Sequence, residues 1–204
     1  PNSPTLRSTR RCRNAASSSS STGAPVSGQA IIFAPARASR RALSVLMVCK
    51  GNICRSPTAE GCLAAHLPEL VIDSAAIMDW NVGRPPHADT QDVALARGIS
   101  LAAQRARQIT VEDFRRFGLI LGMDDENMAA LSALRPADAT TIVGRLGAYL
   151  DPGSIPAIAD PWGHDRAVFE AVFDQINAAT TALARLIAAA TQEGEGANGF
   201  RHQG

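Results

Sequence analysis

The stretch "VLMVCKGNICRSPTAE", residues 45–60, decides how this chain reads. An almost wholly apolar run ends in Cys49, a short Gly-Asn turn follows, and Arg55 and Ser56-Pro57 open a helical pattern. A short apolar, β-branched run bounded by turn residues reads as a buried strand. Ser56 reads as a helix cap, Pro57 as the first helical residue and Glu60 as an acid of the first turn. The loop therefore leaves a strand end and enters a helix N-terminus. Inward-pointing backbone N–H groups and the helix dipole make such a loop an anion site. Gly51 and Asn52 are the residues best able to take positive φ and let successive amides converge.

Two side chains equip that cup. Cys49 brings a thiol, and the field that attracts an anion also stabilises a thiolate, so Cys49 is expected to be the nucleophile. Arg55 brings a planar fork that can grip two phosphate oxygens at once. A Cys and an Arg six residues apart are weak evidence alone. The strand before, the Gly-Asn pair within and the helix start after give the pairing its weight.

Outward from the loop, apolar runs alternate with helical patterns. "LVIDSAA" (70–76), "FGLILGM" (117–123) and "ATTIVGRL" (139–146) read as three further strands. "DTQDVALARG" (89–98) reads as a helix closed by Gly98, "TVEDFRRFG" (110–118) as a short one capped by Thr110, and "DDENMAALSAL" (124–134) as one with an acidic start. "DRAVFEAVFDQINAATTALARLIAAA" (165–190) carries apolar residues at helical spacing over several turns. Strands alternating with helices predict an α/β domain, a four-stranded parallel sheet flanked by helices on both faces, over residues 43–191. Ligands of such sheets sit beyond the carboxyl ends of the strands, where the quoted loop lies.

Composition bounds the rest. The chain has 204 residues, 46% of them hydrophobic, and a net charge of +1. Residues 1–42 carry seven Arg and no acid; residues 43–204 carry thirteen Lys+Arg against nineteen Asp+Glu. The domain is thus mildly acidic and lacks the basic stripe of a nucleic-acid binder. No apolar run approaches the ~20 residues that span a bilayer. Four cysteines (12, 49, 54, 62) are too few for a disulfide scaffold and suit a reducing compartment. Residues 1–42, Ser- and Arg-rich, read as a disordered tail. Such acid-free composition is shown by organelle transit peptides, with chloroplast preferred on serine content and mitochondrion or cytoplasm as alternatives. Residues 192–204, glycine-rich and polar, read as a flexible C-terminal tail. His66, His87, His164 and His202 lack metal-ligand spacing, so no metal is expected.

At this point the residues resemble a known family, the low-molecular-weight protein tyrosine phosphatases. "VCKGNICRSPTAE" (48–60), "DWNVGRPPHAD" (79–89), "ARQITVEDF" (106–114), "ILGMDDEN" (120–127) and "DPW" (160–162) with "FEAVFDQI" (169–176) stand in family order. The resemblance implies a phosphatase acting on phosphotyrosine in proteins and on small aryl phosphates through a cysteinyl-phosphate intermediate. It implies inorganic phosphate as product. No cofactor is expected, and nothing in the sequence demands more than a monomer. Cys49, Arg55 and Asp160 would be catalytic, Asp160 as proton donor and then base; an Asp-Pro by itself is more often just a turn. Lys50, Gly51, Asn52, Ile53, Cys54 and Ser56 would line the phosphate loop. Ser56 would hydrogen-bond the thiolate, Asn52 would hold the loop's shape, and Asp124 would join the polar network beneath it. Trp80 and Trp162 would wall the cleft rather than pack the core.

Departures from the family pattern are visible as well. Gln104 stands where relatives often carry His, Gly122 where Cys is common, and Gly163 where some relatives have a second aromatic. Lys50 adds a charge that would favour acidic substrates. Arsenate reduction on the same fold needs cysteines beyond Cys62, and there are none. Arginine phosphatases resemble the loop but carry Thr where this chain has Ile53. A phosphate-binding module without turnover would not need nucleophile, clamp and acid together. Cys54 either pairs with Cys49 under oxidation or is a buried free thiol.

Overall fold

The structure, a computed structural model, describes residues 44–151 and 153–196. The 1–42 stretch read as a tail and organelle address lies outside the described residues, as do residues 197–204 of the expected C-terminal tail. In chain order the elements are β1 (Val45–Cys49), α1 (Arg55–His66), β2 (Ile72–Ala76), α2 (Ala88–Ala96), α3 (Asp113–Arg116), β3 (Leu119–Gly122), α4 (Asp125–Leu134), β4 (Ile142–Arg145) and α5 (Arg166–Gly196). A 3₁₀ turn, Leu146–Tyr149, follows β4 directly.

The four strands form one parallel sheet in the order β2-β1-β3-β4. The expected α/β architecture is therefore present. β1 lies in the middle, and its alternation sorts the two faces, since successive side chains of a strand point opposite ways. Val45 and Met47 join a core with Leu63 of α1, Val93 and Ala94 of α2, and Phe169, Phe173 and Ile176 of α5. Leu46 and Val48 point the other way, into a smaller core with Phe114, Phe117, Ile120 and Leu131. With both faces covered, β1 is buried along its whole length.

The chain leaves β1 toward β2 on one side, and β3 lies on the other. The strand order thus reverses beside β1, and a crevice opens at the carboxyl ends of β1 and β3. Cys49 ends β1, and Asp124 follows β3 by two residues.

Several local expectations need correction. α1 begins at Arg55, one residue before the expected cap, and the Cys54 side chain makes no cap hydrogen bond. Ser56 is helical, its hydroxyl is turned to Cys49, and Glu60 lies in the second turn. Thr110 does not cap α3; instead the Asp113 carboxylate accepts from the Thr110 backbone N–H at 2.8 Å and its hydroxyl at 3.2 Å. α5 continues to Gly196, past the expected boundary at 191. Ala188, Ala189 and Ala190, of the residue type with the highest helix propensity, favour continuation past that boundary.

Candidate active site

The loop is shaped by Asn52, which adopts φ 53°. Its backbone N–H donates to Cys49 Sγ at 3.3 Å, so the turn folds back over the thiol. Ser56 Oγ lies 3.0 Å from the same sulfur. The Asn52 amide nitrogen donates to Ser56 Oγ at 2.9 Å and Ser74 Oγ at 2.8 Å, and its oxygen accepts from the Arg107 backbone N–H at 2.9 Å. Asn52 therefore ties the loop to α1, to β2 and to the segment before α3. A Cβ on Gly51 would stand 2.7 Å from Asn81 Nδ2, so a larger residue there would displace the Asn81 side chain.

Arg55 is 2% exposed and sits where three segments meet. Its Nη1 donates to Asp124 Oδ2 at 2.5 Å and to the Ile158 carbonyl at 3.1 Å, and its Nη2 donates to Asp160 Oδ2 at 2.7 Å. Nε is buried and has no hydrogen-bond partner among the described residues. Burying a guanidinium costs free energy, and the carboxylates around it offset that and hold it charged. Asp124 has two duties, since its other oxygen caps α4 through the Asn127 N–H at 2.8 Å.

A cleft of about 530 Å³ opens over the loop. Cys49, Lys50, Gly51, Ile53 and Cys54 form its floor; Trp80, Asn81, Asp160, Trp162 and His164 form its sides. Trp80 and Trp162 line that cleft and are 60% and 66% exposed, so neither packs in the core. Lys50 lies 5.9 Å over the Trp80 ring and pairs with Glu126 at 3.0 Å. Its charge is therefore shared with an acid on α4, which weakens the expectation that it selects acidic substrates.

Cys49, Cys54 and Cys62 are free thiols. Burial pushes Cys54 and Cys62 up to about 12, which keeps both protonated near neutral pH. Gln104, in place of the family's His, donates to the Pro57 carbonyl at 3.1 Å.

The sequence assigned no site role to Ser74, Glu60, Arg107 or Asn81. Ser74 sits inside an ordinary strand pattern and Glu60 on an ordinary helix, so neither carried a local signal. Arg107 is held by Asp73 at 2.9 Å and Asp113 at 3.0 Å, a pairing set only by the fold. For His164, the signal was its place four residues after Asp160.

A parallel α/β domain with a thiol, a buried guanidinium and a carboxylate gathered over one anion-binding loop defines a class of phosphatase. Residues 44–193 match the family model described as low molecular weight phosphotyrosine protein phosphatase. The chain is 41% identical over 140 residues to the low molecular weight phosphotyrosine protein phosphatase of Sus scrofa, covering 65% of this chain and 87% of the relative. Among solved structures it is similar to YfkJ from Bacillus subtilis (TM-score 0.66, 33% identity, 77% of this chain and 98% of that one). It is similar also to Vibrio vulnificus Wzb in complex with benzylphosphonate (TM-score 0.65, 29% identity, 70% of this chain and 97% of that one). The chain belongs to the low molecular weight protein-tyrosine phosphatases.

Proposed function

We propose that the chain hydrolyses phosphotyrosine in proteins, and small aryl phosphates, through a cysteinyl-phosphate intermediate. The observation that carries this reading is the convergence of three side chains from distant parts of the chain. Cys49 and Asp160 line one cleft, and Arg55 is bonded to Asp160 at 2.7 Å. In the first step the Cys49 thiolate attacks phosphorus, the P–O bond to the aryl group breaks, and Asp160 gives its proton to the departing oxygen. Arg55 steadies the transferring group with its fork. In the second step Asp160 takes a proton from water, the water oxygen attacks phosphorus, and the S–P bond breaks. This returns the thiolate and releases inorganic phosphate. Trp80 and Trp162 give an aryl group two faces to pack against.

The test is hydrolysis of aryl phosphates whose leaving groups differ in acidity. Cys49→Ser is expected to abolish turnover. Asp160→Ala is expected to cost about 10²- to 10⁴-fold, with the loss shrinking as the leaving group improves. Turnover by Cys49→Ser, or a loss in Asp160→Ala that ignores the leaving group, would overturn the mechanism. Phosphotyrosine against phosphoarginine peptides then tests the substrate class, with phosphotyrosine expected to win by virtue of the two Trp walls and the apolar Ile53 on the floor.

For residues 1–42 we infer an organelle address, plastid first, from the serine- and arginine-rich, acid-free composition. A fluorescent protein carrying this segment would enter plastids in plant cells. Diffuse cytoplasmic fluorescence would overturn that reading.

A further inference from the structure

Trp80 stands on a backbone that the phosphate loop holds firmly. The Ile77 N–H donates to the Cys49 carbonyl at 2.9 Å, the Met78 N–H to the Lys50 carbonyl at 3.1 Å, and Asn81 Nδ2 to the Gly51 carbonyl at 3.1 Å. The Trp80 side chain has far fewer ties. It is 60% exposed, and among the described residues its indole has no hydrogen bond and no ring contact except with Lys50, whose Nζ lies 5.9 Å from the ring centroid.

Lys50 is itself anchored. Its Nζ reaches both carboxylate oxygens of Glu126, at 3.0 and 3.1 Å. Glu126 lies in the first turn of α4, where the positive end of the helix dipole favours a carboxylate. A cation rooted in an anion-binding loop would by itself turn toward the anion. Here a carboxylate outside the cleft lining holds it aside, and the electron-rich face of the indole receives it.

The geometry points to Lys50 and Glu126 as positioning residues for aryl recognition: Glu126 holds the Lys50 ammonium against the Trp80 indole, and that contact fixes the indole as a wall for the substrate's ring. This rests on the reading above that the two tryptophans receive the aryl group. An indole already fixed needs no ordering when the ring arrives, whereas a free one would lose rotamer freedom on binding, at the expense of affinity. The effect is confined to ligands that carry a ring, because a small anion without one is held by the loop alone. It is also modest and sensitive to salt, since the side chains of Lys50 and Glu126 are 38% and 53% exposed.

Inhibition constants of benzylphosphonate and methylphosphonate, measured against para-nitrophenyl phosphate turnover, test this. Their ratio reads the preference for a ring with the contribution of the anion divided out. We expect Trp80→Ala to lower the preference about tenfold. Glu126→Gln and Lys50→Met should each lower it about threefold, and the double variant no further than Lys50→Met alone, because both remove the same contact. Lys50→Arg keeps the cation and should retain the preference within about 1.5-fold. The gap between wild type and Glu126→Gln should close as NaCl rises from about 0.02 M to about 0.5 M. In a Trp80→Ala background, Glu126→Gln should leave the preference where it is. Three results would each overturn the inference while leaving the tryptophan wall intact: a preference unchanged in Glu126→Gln, a loss in Lys50→Met that Lys50→Arg shares, or a Glu126→Gln effect of equal size with and without Trp80. If Trp80→Ala itself keeps the preference, the aryl-wall reading fails and the inference falls with it.

Discussion

Asn52 shows how much one side chain can decide. Its φ of 53° lies in the left-handed region, which Asn tolerates better than most residues. Its amide meanwhile holds Ser56, Ser74 and the Arg107 backbone. Two costs can therefore be separated by substitution. Asn52→Ala loses the amide contacts and strains the backbone, and should destabilise by about 3 kcal/mol in urea denaturation. Asn52→Gly loses the contacts but not the backbone freedom, and should recover about 1 kcal/mol of that. Both should be poor enzymes, because neither orients Ser56. Equal stabilities would show that the backbone conformation carries no strain, and an active Asn52→Gly would show that the amide is dispensable.

Among elements, the turn after β4 has a consequence for catalysis although it lies outside the cleft lining. A Cβ on Gly147 would fall 1.8 Å from the Pro156 carbonyl oxygen, which no side-chain motion can relieve. Pro156 belongs to the segment that delivers Asp160. The Ile158 N–H bonds the Met123 carbonyl at 2.9 Å, and its own carbonyl receives Arg55. Gly147→Ala must push this segment away. The expected result is a loss of about 3 kcal/mol by thermal denaturation, with kcat falling more than KM rises because Asp160 and Arg55 part. A variant as stable and active as wild type would mean that the segment yields without moving Asp160. The start of α1 belongs to this scale too. Ser-Pro is a sound cap signal, yet the helix begins at Arg55, because the Ser56 hydroxyl is engaged by Cys49 and Asn52.

For the molecule as a whole, the cleft is assembled from residues 49–54, Trp80 with Asn81, and the 160–164 segment. Two exposed tryptophans stand on segments about eighty residues apart in sequence, as their numbers show. If they hold the aryl ring, Trp162→Ala should raise KM for a phosphotyrosine peptide about three- to tenfold while leaving KM for an alkyl phosphate nearly unchanged. Steady-state kinetics on the two substrates checks this, and an equal effect on both would mean that the indole supports the loop rather than the ring.

The sequence by itself determined the strands, the helices, the parallel sheet and the loop between Cys49 and Arg55. Each of these rests on periodicity or on turn chemistry acting over a few residues. It also pointed to Asp124, Asp160 and the two tryptophans, through the resemblance and not through any local pattern. Only the tertiary structure decided who meets whom: Asp124 and Asp160 on Arg55, Arg107 on Asp73 and Asp113, Glu60 on Ser74. It also decided that Ser56 serves the thiol instead of the helix end. The reason is physical. A hydroxyl or carboxylate has the same local preferences wherever it stands, and its partner is chosen by strand order and register, which bring together groups such as Arg55 and Asp160, 105 positions apart.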